Sequence, residues 1–266
     1  MTDTLSPVVR LETADGVGTI TLDRPKVNAY ETGFMTQLRD TVAAVEADAS
    51  VTVVVLRSAL PSVFSVGADI KAWAANEVAE NQRLVASARE TANAMADSRK
   101  VVVAAIRGHA LGGGLELALA CDLRFGASGD YQLGLPEVKL GLMPGNGGTQ
   151  RLARLIGRSR ALALIVTGDA IGPEEAHSIG LLDRLYPAES LDDEVMSFAR
   201  ALARGPAEAI AAVKAAIREG EELTLEAGLA VEAALSDGLY DTADGIEGFK
   251  AYVEKRPPRF GGADTT

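Results

Sequence analysis

One cysteine, Cys121, stands in 266 residues, so no disulfide can form within the chain, which fits a reducing compartment. Histidine is nearly as scarce: His109 and His177 are the only two, they stand far apart, and neither is expected to act directly. No metal site is expected either. Lys and Arg number 26 against 37 Asp and Glu, a formal net charge of −11. No basic run supplies the footprint that a phosphate backbone needs, which argues against a non-specific nucleic-acid binder. No window reaches about 18 uninterrupted apolar residues, and the opening MTDTLSPVVR has no apolar signal core. A soluble, cytoplasmic protein with no membrane partner is therefore expected.

What the chain does have is apolar material in ordered runs. A hydrophobic content of 47% with 24% charge is ordinary for a soluble globular protein, and the length suits one domain with an appended segment. Residues 8–11 and Val17–Leu22 read as strands around Asp15-Gly16, a pair that favours a tight hairpin. Phe34, Leu38, Val42 and Val45 recur at helical spacing and predict an amphipathic helix over 30–47. Residues 51–56 and Val101–Ile106 are almost wholly apolar, as strands covered on both faces are, with a helix expected over 76–98 between them. Strands are also expected at 122–126, 131–133 and 182–186, and helices at 149–155, 160–167 and 173–179. This alternation predicts the α/β class. From Leu191 the strand signals stop, and helices are expected over 191–203, 206–219, 223–240 and 244–255. Their apolar faces must pack on the core or on another subunit. The expected division is a core over 1–190 and a helical region over 191–266, with the closing PPRFGGADTT frayed.

The stretch HALGGGLELALACD, 109–122, concentrates the chemistry. Its three consecutive glycines, Gly112 to Gly114, precede an apolar helical run, so a ligand can approach the backbone closely and meet helical N–H groups that have no partner of their own. Partial negative charge is welcome there. Glu116 stands among Leu115, Leu117, Ala118 and Leu119, and a carboxylate in such surroundings needs a partner or a task. Oxyanion donors beside a carboxylate point to acyl chemistry. No Gly-Lys-Ser/Thr follows, so the glycines are not a phosphate loop. Asp69 is expected to cap or orient the loop that precedes it.

VGTITLDRPKVNA, FSVGADIKAW, VVVAAIRGHALGGGLELALACDLRFGA, LGLPEVKLGLMPGNGGTQRLARLIG, TGDAIGPEEAHSIGLLDRLYP and EGFKAYVEKRPPRF together resemble the crotonase superfamily, and within it the enoyl-CoA hydratases. The resemblance spans nearly the whole chain in the family's order. It implies a crotonase-like superhelix of ββα repeats, with the thioester site in 1–190 and trimerisation in 191–266, as a homotrimer or dimer of trimers. It also implies a thioester oxyanion hole from the backbone N–H groups of Ala68 and Gly113. Two catalytic carboxylates follow from it, Glu116 as base on water and Glu137, in LGLPEVKLG, as acid toward Cα. The reaction implied is reversible syn addition of water to a trans-2-enoyl-CoA. No separate cofactor is implied, because coenzyme A is the carrier part of the acyl-CoA substrate.

Substrate contacts implied by the same resemblance fall on Lys26, Ala29, Ser65, Gly67, Asp69, Ile70, Trp73, Gly112, Pro136 and Gly145. Tyr252 and Lys255 are implied to reach the coenzyme A of a neighbouring subunit. Several positions depart from the family pattern. RPKVNAY is one residue short of the common form, Tyr30 stands where leucine is usual, Trp73 where methionine is frequent, Leu115 for cysteine and Asn146 for alanine. Two rivals share the fold: a double-bond isomerase relying on Glu137, and an acyl-CoA-binding protein without chemistry. The presence of Glu116 argues against the first, and that of both glutamates against the second.

Overall fold

The computed structural model describes residues 7–261. Ten strands and eleven α-helices lie among them, in two sheets. The larger sheet runs β1 (Val9–Ala14), β2 (Val17–Leu22), β3 (Val53–Ser58), β5 (Val101–Ile106), β7 (Leu123–Ala127) and β10 (Arg184–Tyr186) in spatial order. Asp15 and Gly16 both take positive φ, 54° and 76°, and turn β1 back antiparallel on β2 with Ala14 opposite Val17. This is the mirror-image turn that matches strand twist. From β2 onward all pairings are parallel, with Val17 beside Val53 and Val53 beside Val101. Val53, Val54, Val55 and Leu56 are all buried, as expected of strands covered on both faces.

The smaller sheet is β4 (Val63–Ser65), β6 (His109–Leu111), β8 (Leu133–Gly134) and β9 (Ala170–Ile171). β4, β6 and β8 are mutually parallel, so the chain leaves all three at the same edge. Ligands in parallel sheets collect at that carboxyl edge.

Helices α1 (Thr32–Ala47), α2 (Ile70–Ala75), α3 (Val78–Asp97), α4 (Gly113–Leu119), α5 (Gly148–Ile156), α6 (Arg158–Thr167) and α7 (Pro173–Ser178) lie between the strands. Phe34, Leu38, Val42 and Val45 all face inward from α1. Two expectations change here. Tyr30 is not helical but bridges in parallel to Ala68, and 76–98 begins only at Val78, after a separate short helix, α2, capped by the Asp69 carboxylate on the N–H of Ala72.

The remaining helices are α8 (Leu191–Ala203), α9 (Ala207–Gly220), α10 (Leu225–Asp237) and α11 (Ala243–Glu254). α8 buries Leu191, Val195 and Ala199 and sets Phe198 edge-on to Phe125 of β7, so the helical region is continuous with the core at its first helix. α9 to α11 leave Ile217, Leu225, Phe249, Tyr252 and Val253 exposed. Residues 257–261 are not frayed: the N–H groups of Arg259 and Gly261 donate to Glu247 and Asp244, each at 2.8 Å. The end of PPRFGGADTT, and the first six residues of MTDTLSPVVR, lie outside the described residues. No helix among the described residues is long and apolar enough to cross a membrane.

Candidate active site

Three loops leaving β4, β6 and β8 converge on one cavity of about 780 Å³. The first carries Val66, Gly67 and Ala68. Gly67 has φ +74°, and a Cβ on it would stand 2.5 Å from the N of Gly113, so only glycine lets this loop lie directly on the start of α4. Gly114 packs equally tightly, its imagined Cβ 2.1 Å from the carbonyl of Ser65. These contacts set Ala68 beside Gly113 at the cavity wall. Neither N–H has an acceptor among the described residues.

Ser65 supports that loop from beneath. It is fully buried, donates to the carbonyl of Asn28 at 2.8 Å and accepts from the N–H of Gly67 at 3.2 Å. Asn28 is also fully buried; it donates to Ser58 and to the carbonyl of Phe64 and accepts from the N–H of Arg24. Arg24 in turn bonds the carbonyl of Ala29 at 3.1 Å and meets Asp69 at 3.3 Å. The N–H of Ala72, with help from Arg24, holds the Asp69 carboxyl below its usual range.

α4 places Glu116 one turn past Gly113, 1% exposed. Its Oε1 accepts the backbone N–H of Asn146 at 2.7 Å and of Gly148 at 2.8 Å, so peptide donors at the start of α5 hold it, and no arginine pairs with it. Arg151 lies nearby but bonds the carbonyl of Asn146 and the side chain of Asn93. Burial raises the Glu116 pKa, and the N–H groups of Gly148 and Asn146 oppose that rise.

Glu137 comes from a 3₁₀ turn, Pro136–Leu140, stopped by left-handed Gly141. Its Oε1 would be 3.1 Å from a Cβ on Gly112, which places the carboxyl over the glycine run. Its Oε2 is buried with no partner. Burial first, and the nearby Glu116 charge as well, push Glu137 up to about 7.

Of the residues singled out in the sequence, Ala68, Ile70, Trp73, Gly112, Gly113, Glu116, Pro136, Glu137 and Gly145 line this cavity. Ala29, Ser65, Gly67 and Asp69 stand behind it and shape the Ala68 loop. Lys26, Tyr252 and Lys255 are exposed and away from it within one chain. His109 and His177 serve the backbone: Nδ1 of His109 accepts from the N–H of Gln132, and Nδ1 of His177 lies 3.0 Å from the carbonyl of Leu182. No cluster of metal-ligating side chains occurs among the described residues. Sequence reasoning missed Gly148 as a partner of Glu116, although the rule about unpaired N–H groups at a helix start applies to α5 as well as α4. It also missed Arg89, whose guanidinium reaches the cavity from α3.

A family model for enoyl-CoA hydratase/isomerase matches residues 12–263. The mouse mitochondrial methylglutaconyl-CoA hydratase is 40% identical over 240 residues, covering 88% of this chain and 76% of that protein. Among solved structures, an enoyl-CoA hydratase of Geobacillus kaustophilus superposes with a TM-score of 0.94 at 38% identity, covering 98% of each chain. One from Bacillus anthracis gives 0.93 at 35%, covering 97% of this chain and all of that one. Both are crotonase-fold proteins, as is this chain.

Proposed function

The chain belongs to the enoyl-CoA hydratase/isomerase family, and from that we propose that it hydrates a short or compact trans-2-enoyl-CoA reversibly to the 3-hydroxyacyl-CoA. The observation that carries this reading is the contrast between two carboxyls on one cavity. Glu116 receives two backbone N–H bonds on Oε1, which favour its ionised form. Glu137 has a buried, partnerless Oε2 and a pKa near 7, which favour its neutral form. Environments that separate two like groups in this way assign base and acid.

In the proposed reaction Glu116 takes a proton from water as its oxygen adds to Cβ. The electron pair of the double bond moves toward the thioester, whose oxygen becomes anionic. The N–H groups of Ala68 and Gly113 hold that charge without reorganising, and losing one such donor typically costs ~3 to 4 kcal/mol of barrier. Glu137 then gives its proton to Cα; after product leaves, Glu116 loses the proton it took and Glu137 regains one by exchange with solvent, and reversal of these steps dehydrates. Trp73, on the cavity wall, shortens the room for the acyl chain. The exposed apolar faces of α9 to α11 support assembly as a homotrimer or dimer of trimers, with Tyr252 and Lys255 offered to a neighbour's coenzyme A.

Incubation with crotonyl-CoA, following loss of the conjugated thioester absorbance and identifying the 3-hydroxy product, tests the reading. Migration of the double bond in a 3-enoyl-CoA without hydration would favour the isomerase instead.

A further inference from the structure

The strip of backbone that holds Glu116 is itself gripped by two arginines. Glu116 accepts the N–H of Asn146 at 2.7 Å and of Gly148 at 2.8 Å, both on Oε1. A trans peptide points its carbonyl away from its N–H, and the carbonyl opposite the Asn146 N–H is that of Gly145. It accepts Nε of Arg89, from α3, at 2.8 Å. The next carbonyl, that of Asn146, accepts Nη1 of Arg151, from α5, also at 2.8 Å. Arg151 is fixed in turn by Nη2, which donates to Oδ1 of Asn93 on α3 at 2.8 Å.

Two glycines admit this arrangement. Gly147 has φ +105°, and a Cβ on it would stand 2.2 Å from Nη1 of Arg151 and 3.1 Å from its Cζ, so a side chain there would displace the guanidinium. On the inner face a Cβ on Gly148 would stand 2.9 Å from Oε1 of Glu116. Neither arginine spends its charge on a carboxylate among the described residues. A guanidinium on the Gly145 carbonyl polarises that peptide and makes the N–H on its far side a stronger donor to Glu116. Arg151 pins the following carbonyl, and its charge also favours the ionised carboxyl. Oε2 of Glu116 is left to take a proton.

We propose that Arg89 and Arg151 are positioning residues of the hydratase, gripping the carbonyls of Gly145 and Asn146 so that Glu116 is held in place and ionised as the base. The inference rests on the hydratase reading of this cavity. Glu137 and the Tyr30 phenol also face Glu116, while Asp97 and Cys121 face Arg151. Asp97 is exposed and meets Arg218. Burial raises the phenol and the thiol, the thiol to about 12, and Glu137 answers on the opposite, alkaline limb.

The test follows kcat/KM for crotonyl-CoA against pH in the wild type, Arg89→Met, Arg151→Met and Arg151→Lys. Losing a cation favours the neutral carboxyl, so the acidic limb should move to higher pH, by about one pH unit in Arg151→Met. Arg89 is exposed, and its loss should move the limb by about half a pH unit because solvent screens it. Arg151→Lys keeps the charge and should stay close to the wild type. A merely structural role would lower the rate alike at every pH. An acidic limb unmoved in Arg89→Met or in Arg151→Met overturns the proposal; should Arg151→Met not fold, Arg89→Met decides alone. If no enoyl-CoA is hydrated, the hydratase reading fails, and the clamp is read from the infrared band of the protonated Glu116 carboxyl, isolated by difference against Glu116→Gln in each background. A band that appears at higher pH in the methionine variants supports the clamp; one at unchanged pH removes it.

Discussion

The phenol of Tyr30 donates to the carbonyl of Gly113 at 2.8 Å, while the backbone of the same residue grips the neighbouring loop. Its N–H donates to Gly67 at 2.6 Å and its carbonyl accepts from Asp69 at 3.2 Å, on either side of Ala68. One residue, by its side chain and its backbone, thus joins the two loops whose N–H groups are proposed to hold the thioester oxygen. Tyr30→Phe keeps the ring stacked on Phe34, 5.7 Å between centroids, and removes only the hydroxyl. We expect kcat to fall about tenfold with KM little changed, for a stability loss of ~1 kcal/mol. Steady-state kinetics beside thermal melts would separate positioning from stability.

Glu116→Gln and Glu137→Gln should each lower hydration by ~10²- to 10⁴-fold. The double variant should be little worse than the poorer single one, because both groups act on one addition. Glutamine at 116 can still accept the N–H groups of Asn146 and Gly148, so the fold should survive. Glu116→Ala strands both donors and should cost ~1 to 3 kcal/mol for each. Near-native turnover in either glutamine variant would remove the acid-base assignment.

The raised pKa of Glu137 gives a pH signature. A proton-donating carboxyl with a pKa of about 7 is charged and ineffective above that value, so kcat/KM for hydration should decline as pH rises through it. Glu137→Gln should lack that alkaline limb in its residual rate. Protonation of Glu116 should produce the acidic limb, at a pH above the ordinary carboxylate range because burial raises that group too.

Trp73→Met should extend the acyl range. Indole is larger and stiffer than a thioether, so the exchange should raise kcat/KM selectively for longer chains, each methylene accommodated being worth about 1 to 3 kcal/mol. The comparison is between four-carbon and ten-carbon enoyl-CoAs; an unchanged ratio removes Trp73 as the limit.

The helical region should form a subunit interface. Leu225 at 80% and Val253 at 79% exposure are apolar surface that a lone chain has reason to cover. Sedimentation should show an oligomer, and Lys255→Ala should weaken binding of CoA esters at low salt, where charge is least screened. An active, stable monomer would contradict both.

The large sheet was legible because β3 opens on the apolar run Val53 to Leu56, β5 is apolar throughout, and the β1–β2 turn is written in Asp15-Gly16. The small sheet was not. Its strands are two or three residues long, too short to show any periodicity; of its strands only β8 was approached, by the strand expected at 131–133. Tyr30 was assigned to a helix because the apolar spacing begins just after it, whereas its partner, Ala68, is distant in sequence. Glu116 and Glu137 could be singled out by residue type and resemblance. That Glu116 rests on peptide N–H groups from α5 depends on a tertiary approach that no local pattern encodes.

The loops after β4, β6 and β8 leave a sheet that is separate from the one burying most of the valine-rich core. Selection can therefore act on the two sheets with some independence. Changes at Trp73 or Asn146, on the cavity wall, would alter what the proposed site accepts while Val53 to Leu56 and Val101 to Ile106 continue to specify the fold. Divergence in diet among descendants of such a chain would then be written in a few wall residues, and the backbone glycines at 67 and 114, which admit no side chain, would be the slowest letters to change.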